Sequence, residues 1–279
     1  MLAGLILTAF GNAFRELSTS IGKYEVEQKK ESVYTMGFLG FFWGTIIFFV
    51  LGFIIRDSFV FSFASLPTFG ARLILEIILM YIAVHAVVHA DRSTFGFLRI
   101  WTIPLLLVVD IFLGYEISTL QVIGISLIVL SFIFLFINHG IKKKGALLTL
   151  LTAIIAVATI SLYKYNITHF NSVEAEQGIT FSILMLCFFF SAYYIKKENP
   201  LRFLTQKIFF AQSFTRGISS IFFSFALVFA PASLLITAKR SFSILASVLS
   251  GHYYFKEKHF VTKLVSYLLI TAGIILLVI

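Results

Sequence analysis

Ionisable side chains interrupt several long apolar stretches of this chain, and they are the residues whose types and positions could do chemistry. A charged side chain inside a membrane span costs roughly 2.5–3.5 kcal/mol on insertion scales, so it usually faces a cavity, a partner charge or a substrate pathway. The leading candidates are Lys239 and Arg240, with Ser243 one helical turn further along. Arg99 and Glu76 complete the predicted substrate-binding set. Such cations favour a role in binding an anion through charge-assisted hydrogen bonds.

Structural roles stay open for each of these side chains. Arg99, Lys239 and Arg240 could form ion pairs with carboxylates that only hold helices together. Glu76 could neutralise Arg216, which lies at a nearly equivalent depth in a later span, or it could carry a proton. The serines that follow Arg240 at helical spacing could pack helices closely instead of binding a ligand.

Glu16 and Lys164 occupy roughly corresponding late positions in two apolar segments, which makes them candidates for coupling or gating. Snorkelling of both side chains to the membrane interface is the simpler explanation. Glu116 and Glu257 fall at turns between segments, where a carboxylate is expected to cap a helix start or anchor a loop.

The cluster His85, His89 and Asp91 has the spacing that can place two imidazoles on one metal ion, and it opens an alternative as an intramembrane metal-dependent enzyme. The remaining histidines occur singly, at His139, His169, His252 and His259. No nucleophile elbow, phosphate-binding glycine loop or metalloprotease motif is present. The sequence therefore predicts no enzyme, no metal and no cofactor. A non-transporting membrane subunit is the other alternative.

The elements that must position these residues are membrane helices. Of 279 residues, 59% are hydrophobic and 13% charged, whereas a soluble domain usually has about a quarter charged. Runs such as 46–55 and 181–190 are apolar on every face, as in a lipid-buried helix. We predict an all-α integral membrane protein with ten transmembrane helices, over roughly 1–21, 34–55, 69–90, 93–113, 119–138, 145–168, 178–195, 207–229, 231–253 and 260–279.

The chain divides into two halves of five segments, residues 1–138 and 145–279, joined by a basic linker at 139–144. With an offset of 141 residues, Arg99 aligns with Arg240 and Glu116 with Glu257. Because each half has an odd number of spans, the second copy must be inverted relative to the first. This symmetry predicts one binding site between the halves, near the membrane midplane.

Four of the segments resemble a known family. Residues 104–116 with 121–124, and 239–251 with 255–257 and Gly273, resemble the paired signatures of the drug/metabolite transporter superfamily, EamA type. The resemblance implies two inverted five-helix repeats, a central cavity and alternating access. The Lys239–Arg240 pair also resembles the Lys–Arg pair of the plastid phosphate and nucleotide-sugar translocator branch, in which the pair binds phosphate. Leu245 stands opposite Pro104, and Val265 opposite Gly124, where the family pattern has proline and glycine.

Loop charges predict the orientation and the partners. Loops after odd-numbered spans carry fourteen Lys and Arg residues against three on the other side, so these odd loops are expected to be cytoplasmic and both termini external. The family resemblance more often implies internal termini. We expect a multi-pass protein of the plasma membrane whose partners are the bilayer and a small-molecule solute, anionic or zwitterionic. The sequence does not decide whether a proton or an exchanged solute drives transport, or what the oligomeric state is. The net charge of +9 is spread over loops and does not indicate nucleic-acid binding.

Overall fold

The computed structural model describes residues 2–105, 118–138, 144–229 and 232–278. All regular secondary structure within these ranges is helical, which confirms the all-α prediction. The α-helices are α1 (Leu2–Glu27), α2 (Val33–Val50), α3 (Leu66–His89), α4 (Arg92–Leu98), α5 (Thr119–Ile137), α6 (Ala146–His169), α7 (Val173–Lys196), α8 (Lys207–Phe229), α9 (Ala232–Tyr253) and α10 (Phe260–Val278). A π-helical turn (Leu51–Ile55) extends α2, and a 3-10 turn (Arg99–Trp101) extends α4.

Within the described ranges, four helical segments are long and apolar enough to cross a bilayer, namely Val33–Ile55, Phe63–His89, Ala146–His169 and Val173–Lys196. Two shorter apolar helices, Val122–Ile137 and Phe260–Leu276, accompany them. The chain is therefore a helical membrane protein. Helices α1 and α9 are less apolar because they carry charges along their length, including Arg15, Glu16, Lys239 and Arg240. Asp110, Glu116 and the basic linker at 139–143 lie outside the described residues.

The main packing partners of the helices come from opposite halves of the chain. Helix α1 packs against α8, α2 against α7, α3 against α6, α4 against α9 and α5 against α10. Further contacts join α2 to α8, α1 to α9, α9 to α10, and α6 to α4 and its 3-10 turn. The two halves are consequently interleaved.

The two largest hydrophobic clusters of the described residues join helices from both halves. One joins α2 to α7 through aromatic rings, with Phe41 between Phe181 and Phe188. The other joins α4, α5, α9 and α10 through Phe97, Ile128 and Ile244. Helices α2 and α8 approach closely at Gly217, where a Cβ atom would lie 2.8 Å from the Trp43 Cβ and 2.9 Å from the Gly44 nitrogen. A side chain at this position would separate the two backbones.

Caps define several helix starts. The Ser32 hydroxyl accepts a hydrogen bond from the Thr35 amide at 3.2 Å, and Ser172 does the same for Ala175 at 3.2 Å. Glu257, in the loop before α10, accepts from the backbone amides of Arg92 at 2.5 Å and Ser93 at 3.3 Å. It thereby caps the start of α4, which confirms the structural role predicted for this carboxylate.

Candidate functional site

A cavity of about 150 Å³ lies inside the helix bundle. Its walls come from both halves of the chain, from α1, α2 and α3, the 3-10 turn after α4, and α6 to α9. The volume is roughly ten times the space that one water molecule needs. A second cavity of about 80 Å³ adjoins it, and the two share the residues Arg15, Phe41, Met80, Arg99 and Arg216.

Four of the five predicted substrate-binding residues line the larger cavity: Glu76, Arg99, Lys239 and Arg240. Arg99 and Arg240, which the internal alignment equates, therefore reach one space from α4 and α9. The fifth residue, Ser243, is not among the lining residues and donates instead to Glu16 at 2.7 Å. Glu76 does not form an ion pair with Arg216 among the described residues, although both side chains line the same cavity.

The cations in the cavity contact aromatic rings and hydroxyl groups. The Lys239 Nζ lies 3.0 Å from the centroid of the Phe223 ring, and the Arg99 guanidinium lies 5.2 Å from that of Phe95. Arg240 donates through Nε to the Thr102 hydroxyl at 3.1 Å. The Nε of Arg99 is buried without a hydrogen-bond partner. These contacts leave donor groups available to an anion in the cavity.

Three more arginines line the cavity, Arg15, Arg72 and Arg216. Arg15 and Arg216 stand out in the sequence as charges inside apolar segments, yet nothing in their spacing identifies a common site.

Arg72 is one of the three cations counted on the less basic loop side, although it falls inside the predicted span 69–90. The structure agrees with the span, because Arg72 is buried in α3, and the count as a loop residue is wrong. Arg92, predicted on the opposite loop side, is likewise buried in α4. Lys23 and Lys263, counted on the same side as Arg92, are also buried in α1 and α10, and Lys164, counted with Arg72, lies within α6. Without these five residues the charge bias keeps its direction.

Several cationic side chains lie close together on the wall of the cavity. Arg15, Arg99, Arg216, Lys239 and Arg240 all line it. Within the described part of the chain, none of these five cations forms an ion pair with a carboxylate. Arg72 differs, because its Nη1 lies 2.7 Å from the Glu176 carboxylate.

Neutral polar groups also line the cavity, and two of them, Tyr163 and Gln177, contact Arg72. They are the side chains of Thr159, Tyr163, Gln177, Ser219, Ser220 and Ser224. The Tyr163 hydroxyl is buried beside Ser224 and Gln177. Sequence patterns did not indicate these groups, since serine and threonine occur throughout membrane helices as packing residues.

A buried polar network closes the bundle at the start of α3 and α7. Arg72 donates to Glu176 at 2.7 Å, to Thr180 at 3.1 Å and to Gln177 at 3.2 Å. Glu176 also accepts from Asn166 at 2.9 Å and from Asn171 at 2.5 Å. We call these residues the Arg72 network. It joins α3, α6 and α7 through groups that are almost fully buried.

A second network closes the opposite end of the bundle. Arg92 of α4 donates to the Glu16 carboxylate of α1, which also accepts from Ser243 of α9. Nearby, Lys23 donates to the Val87 and Ala90 carbonyls at the end of α3. We call these residues the Glu16 network. Along α3, Arg72 and Val87 are fifteen residues apart, about 22 Å at 1.5 Å per residue, and the cavity residues Glu76 and Leu79 lie between them.

The predicted coupling or gating residues therefore differ in their contacts. Glu16 connects three helices at one end of the bundle. Lys164 donates to the Leu227 carbonyl of α8 at 2.6 Å, a contact with the unsatisfied carbonyls of a helix end rather than with a carboxylate.

Ser247 packs against Gly96, where an added Cβ would collide with the serine hydroxyl, so it serves close helix packing.

The histidine cluster lies on a different surface. His85 and His89 stack with ring centroids 6.0 Å apart, and His85 also contacts Tyr34. His89 hydrogen-bonds through Nδ1 to the His85 carbonyl at 2.8 Å. Over the described ranges, no three His, Cys, Asp or Glu side chains come together as a metal site.

Two carboxyl groups outside the membrane-spanning helices have shifted pKa values. Burial raises the pKa of Glu31 well above its ordinary value, and the nearby Glu25 and Glu198 reinforce the effect against a hydrogen bond from Gln212. Burial also acts to raise the pKa of Glu257, but hydrogen bonds from Ser93 and an ion pair with Lys263 outweigh it and lower that pKa. Glu31 adjoins the smaller cavity, because its partner Gln212 lines that cavity.

Comparison with known proteins gives no match, either to a protein-family model or to a curated protein. The functional argument therefore depends on the cavity and its surroundings.

Proposed function

We propose that this chain is a secondary transporter that moves a small anionic or zwitterionic metabolite across a membrane by alternating access at the central cavity. The observation that carries the proposal is a cation-lined cavity, enclosed by helices from both halves inside a membrane protein. Buried charge at mid-depth of membrane helices is costly and typically marks a substrate pathway.

The helix packing supports a pseudo-two-fold relation between the two halves, and the odd number of predicted spans in each half makes the second repeat inverted. Exchanging each helix with the one five positions later converts the α1–α8 contact into the α6–α3 contact. The same exchange converts α1–α9 into α6–α4, and it leaves the pairs α2–α7, α4–α9 and α5–α10 unchanged. The α2–α8 contact is an exception, since its counterpart α3–α7 is much smaller. A pseudo-two-fold relation of this kind is common in transporters, where the substrate site lies at the repeat interface. It agrees with the resemblance to the EamA-type drug/metabolite transporters.

The two buried polar networks supply the parts that alternating access requires. The Arg72 network forms one end of the cavity, where Arg72 and Gln177 line it, and the Glu16 network lies beyond the other end. In the proposed cycle, one network opens while the other remains closed. Both consist of ion pairs and hydrogen bonds between helices that would have to separate.

Counterflow in reconstituted vesicles tests this function. A thermal-shift screen of metabolites on the detergent-purified protein first identifies a stabilising solute. Vesicles containing the protein and preloaded with that solute should then accumulate it in labelled form, whereas protein-free vesicles should not. Stabilisation by a solute without counterflow would contradict the transporter proposal.

A further inference from the structure

The charges on the cavity wall do not balance. Arg72 is neutralised by Glu176, and the neighbouring Glu16 is engaged by Arg92. Five cations remain, Arg15, Arg99, Arg216, Lys239 and Arg240, against the one lining carboxylate, Glu76. The residues outside the described ranges contain only two carboxylate side chains, Asp110 and Glu116. An excess of at least two positive charges therefore remains wherever those two residues lie.

An excess of positive charge of this size favours the binding of a negatively charged ligand. Each uncompensated ion in a poorly solvated interior costs several kcal/mol after relaxation, and a bound anion recovers part of that cost. The aromatic rings next to Lys239 and Arg99 compensate only in part, since a cation–π contact contributes about 0.5–2 kcal/mol. A zwitterion adds no net charge, and a monoanion leaves at least one cation without a counter-charge.

We propose that the substrate is a small anion with at least two negative charges. This inference depends on the proposed transport function and narrows its substrate class. Phosphate esters and dicarboxylates share the required chemistry, because both can accept paired hydrogen bonds from guanidinium groups. The neutral hydroxyl and amide groups near Tyr163 and Gln177 would contact the uncharged part of the molecule. A volume of about 150 Å³ suits a body of three or four carbons with its anionic groups.

Four small molecules of similar size test the charge requirement. Alanine is a zwitterion, lactate a monoanion, and malonate and glycerol 3-phosphate are dianions at mildly alkaline pH. Each is added to the detergent-purified full chain at constant ionic strength, and the melting temperature is measured. Stabilisation by a dianion but not by alanine or lactate is expected. A response from malonate alone or from glycerol 3-phosphate alone would assign the carboxylate or the phosphate class.

The variant Arg216→Gln separates ligand charge from folding. Removing one of several repelling cations should preserve or raise the melting temperature without ligand, while the apparent affinity for the dianion falls by about tenfold or more. Lys207→Gln is the matched control, because it removes one exposed cation from the same helix and should change neither quantity.

The outcomes distinguish this inference from the transport function. Equal stabilisation by lactate or alanine and by the dianions would overturn the charge requirement, while counterflow of those molecules would leave the transporter intact. Dianion binding that depends on Arg216, without counterflow of the same dianion, would support the charged site and contradict transport.

Discussion

The arginines of the cavity contribute differently, because their guanidinium groups have different partners. Arg240 is held by Thr102, whereas the Arg99 Nε is buried without a hydrogen-bond partner among the described residues. An arginine can offer two parallel donors to one carboxylate or phosphate, and a lysine offers a point charge. The geometry of these groups should therefore matter as well as their charge.

Substitution of Arg240 tests the paired donors. Loss of one charge-assisted contact costs about 2 kcal/mol, so Arg240→Ala should weaken malonate binding roughly thirtyfold. Arg240→Lys should give an intermediate loss because charge is retained without the paired donors. The measurement is the malonate concentration that gives half-maximal thermal stabilisation, and Arg99→Ala should resemble Arg240→Ala. Unchanged affinity in both alanine variants, with normal folding, would make these arginines structural.

Glu31 predicts a pH-dependent stability. A carboxyl group whose pKa is higher in the folded protein than in the unfolded chain favours folding at low pH. This contribution is lost as the pH rises from the ordinary value of 4.5 through the raised folded pKa. Glu31→Gln removes the buried charge, so its melting temperature should exceed that of the wild type at alkaline pH. The difference should disappear near pH 4.5. A constant difference across pH would show that Glu31 does not titrate in this way.

Part of the site could be predicted from single residues. Lys239, Arg240, Arg99 and Glu76 stand out because any charge in an apolar segment is exceptional, and all four line the cavity. The roles of Arg15 and Arg216 could not be predicted, since they depend on which helix faces which. Ser243 has the helical spacing expected of a cavity residue, but its hydroxyl donates a hydrogen bond to the carboxylate of Glu16 on a different helix.

At the scale of elements, close helix contacts depend on a few glycines. Gly217→Ala would place a methyl group against Trp43 and Gly44 at the α2–α8 contact, and such overpacking typically costs about 1–3 kcal/mol. Gly70→Ala is the matched control, since a Cβ there meets nothing within 4 Å and alanine favours the helix. We expect a lower melting temperature only for Gly217→Ala. Equal effects of both variants would show that the close approach is unimportant.

The Glu16 network makes a separate prediction about how α1, α4 and α9 are held together. Glu16→Gln leaves Arg92 buried without its counter-charge, and breaking a buried pair typically costs about 3–5 kcal/mol. The double variant Glu16→Gln with Arg92→Met should recover much of this stability. Chemical denaturation of the three proteins in detergent would measure it. Full stability of the single variant would exclude a structural role and favour coupling as the main role of Glu16.

The helices themselves were the most predictable part of the fold, because long apolar runs such as Ile46–Ile55 exclude most alternatives. Their neighbours were not predictable from periodicity. Helices α2 and α7 are apolar on nearly every face, so no stripe of residues identifies a partner, and their contact depends on the shapes of Phe41, Phe181 and Phe188. Glu257 was predictable as a cap by its position at a turn, but the helix that it caps lies 165 residues earlier.

For the whole molecule, the loop charges predict a cytoplasmic location for the loops after α1, α3, α7 and α9. Tyr254→Cys introduces an exposed thiol in one of these loops, and Val60→Cys introduces one in the loop on the opposite side. In intact cells, a membrane-impermeant maleimide should label Val60→Cys, and it should label Tyr254→Cys only after permeabilisation. The parent protein controls for its single native thiol, Cys187. The reverse labelling pattern would invert the orientation.

The interleaved packing of the halves also governs how the protein can be made. A ribosome completes α1 to α5 before the principal partners of these helices, α6 to α10, have been synthesised. The charged residues of the newly inserted first half therefore remain without their helix partners until the second half is made. The bundle then folds late, through contacts between residues that are far apart in the sequence. A fragment ending at Asn138 should be degraded when expressed alone and should persist when residues 144–279 are supplied as a separate chain.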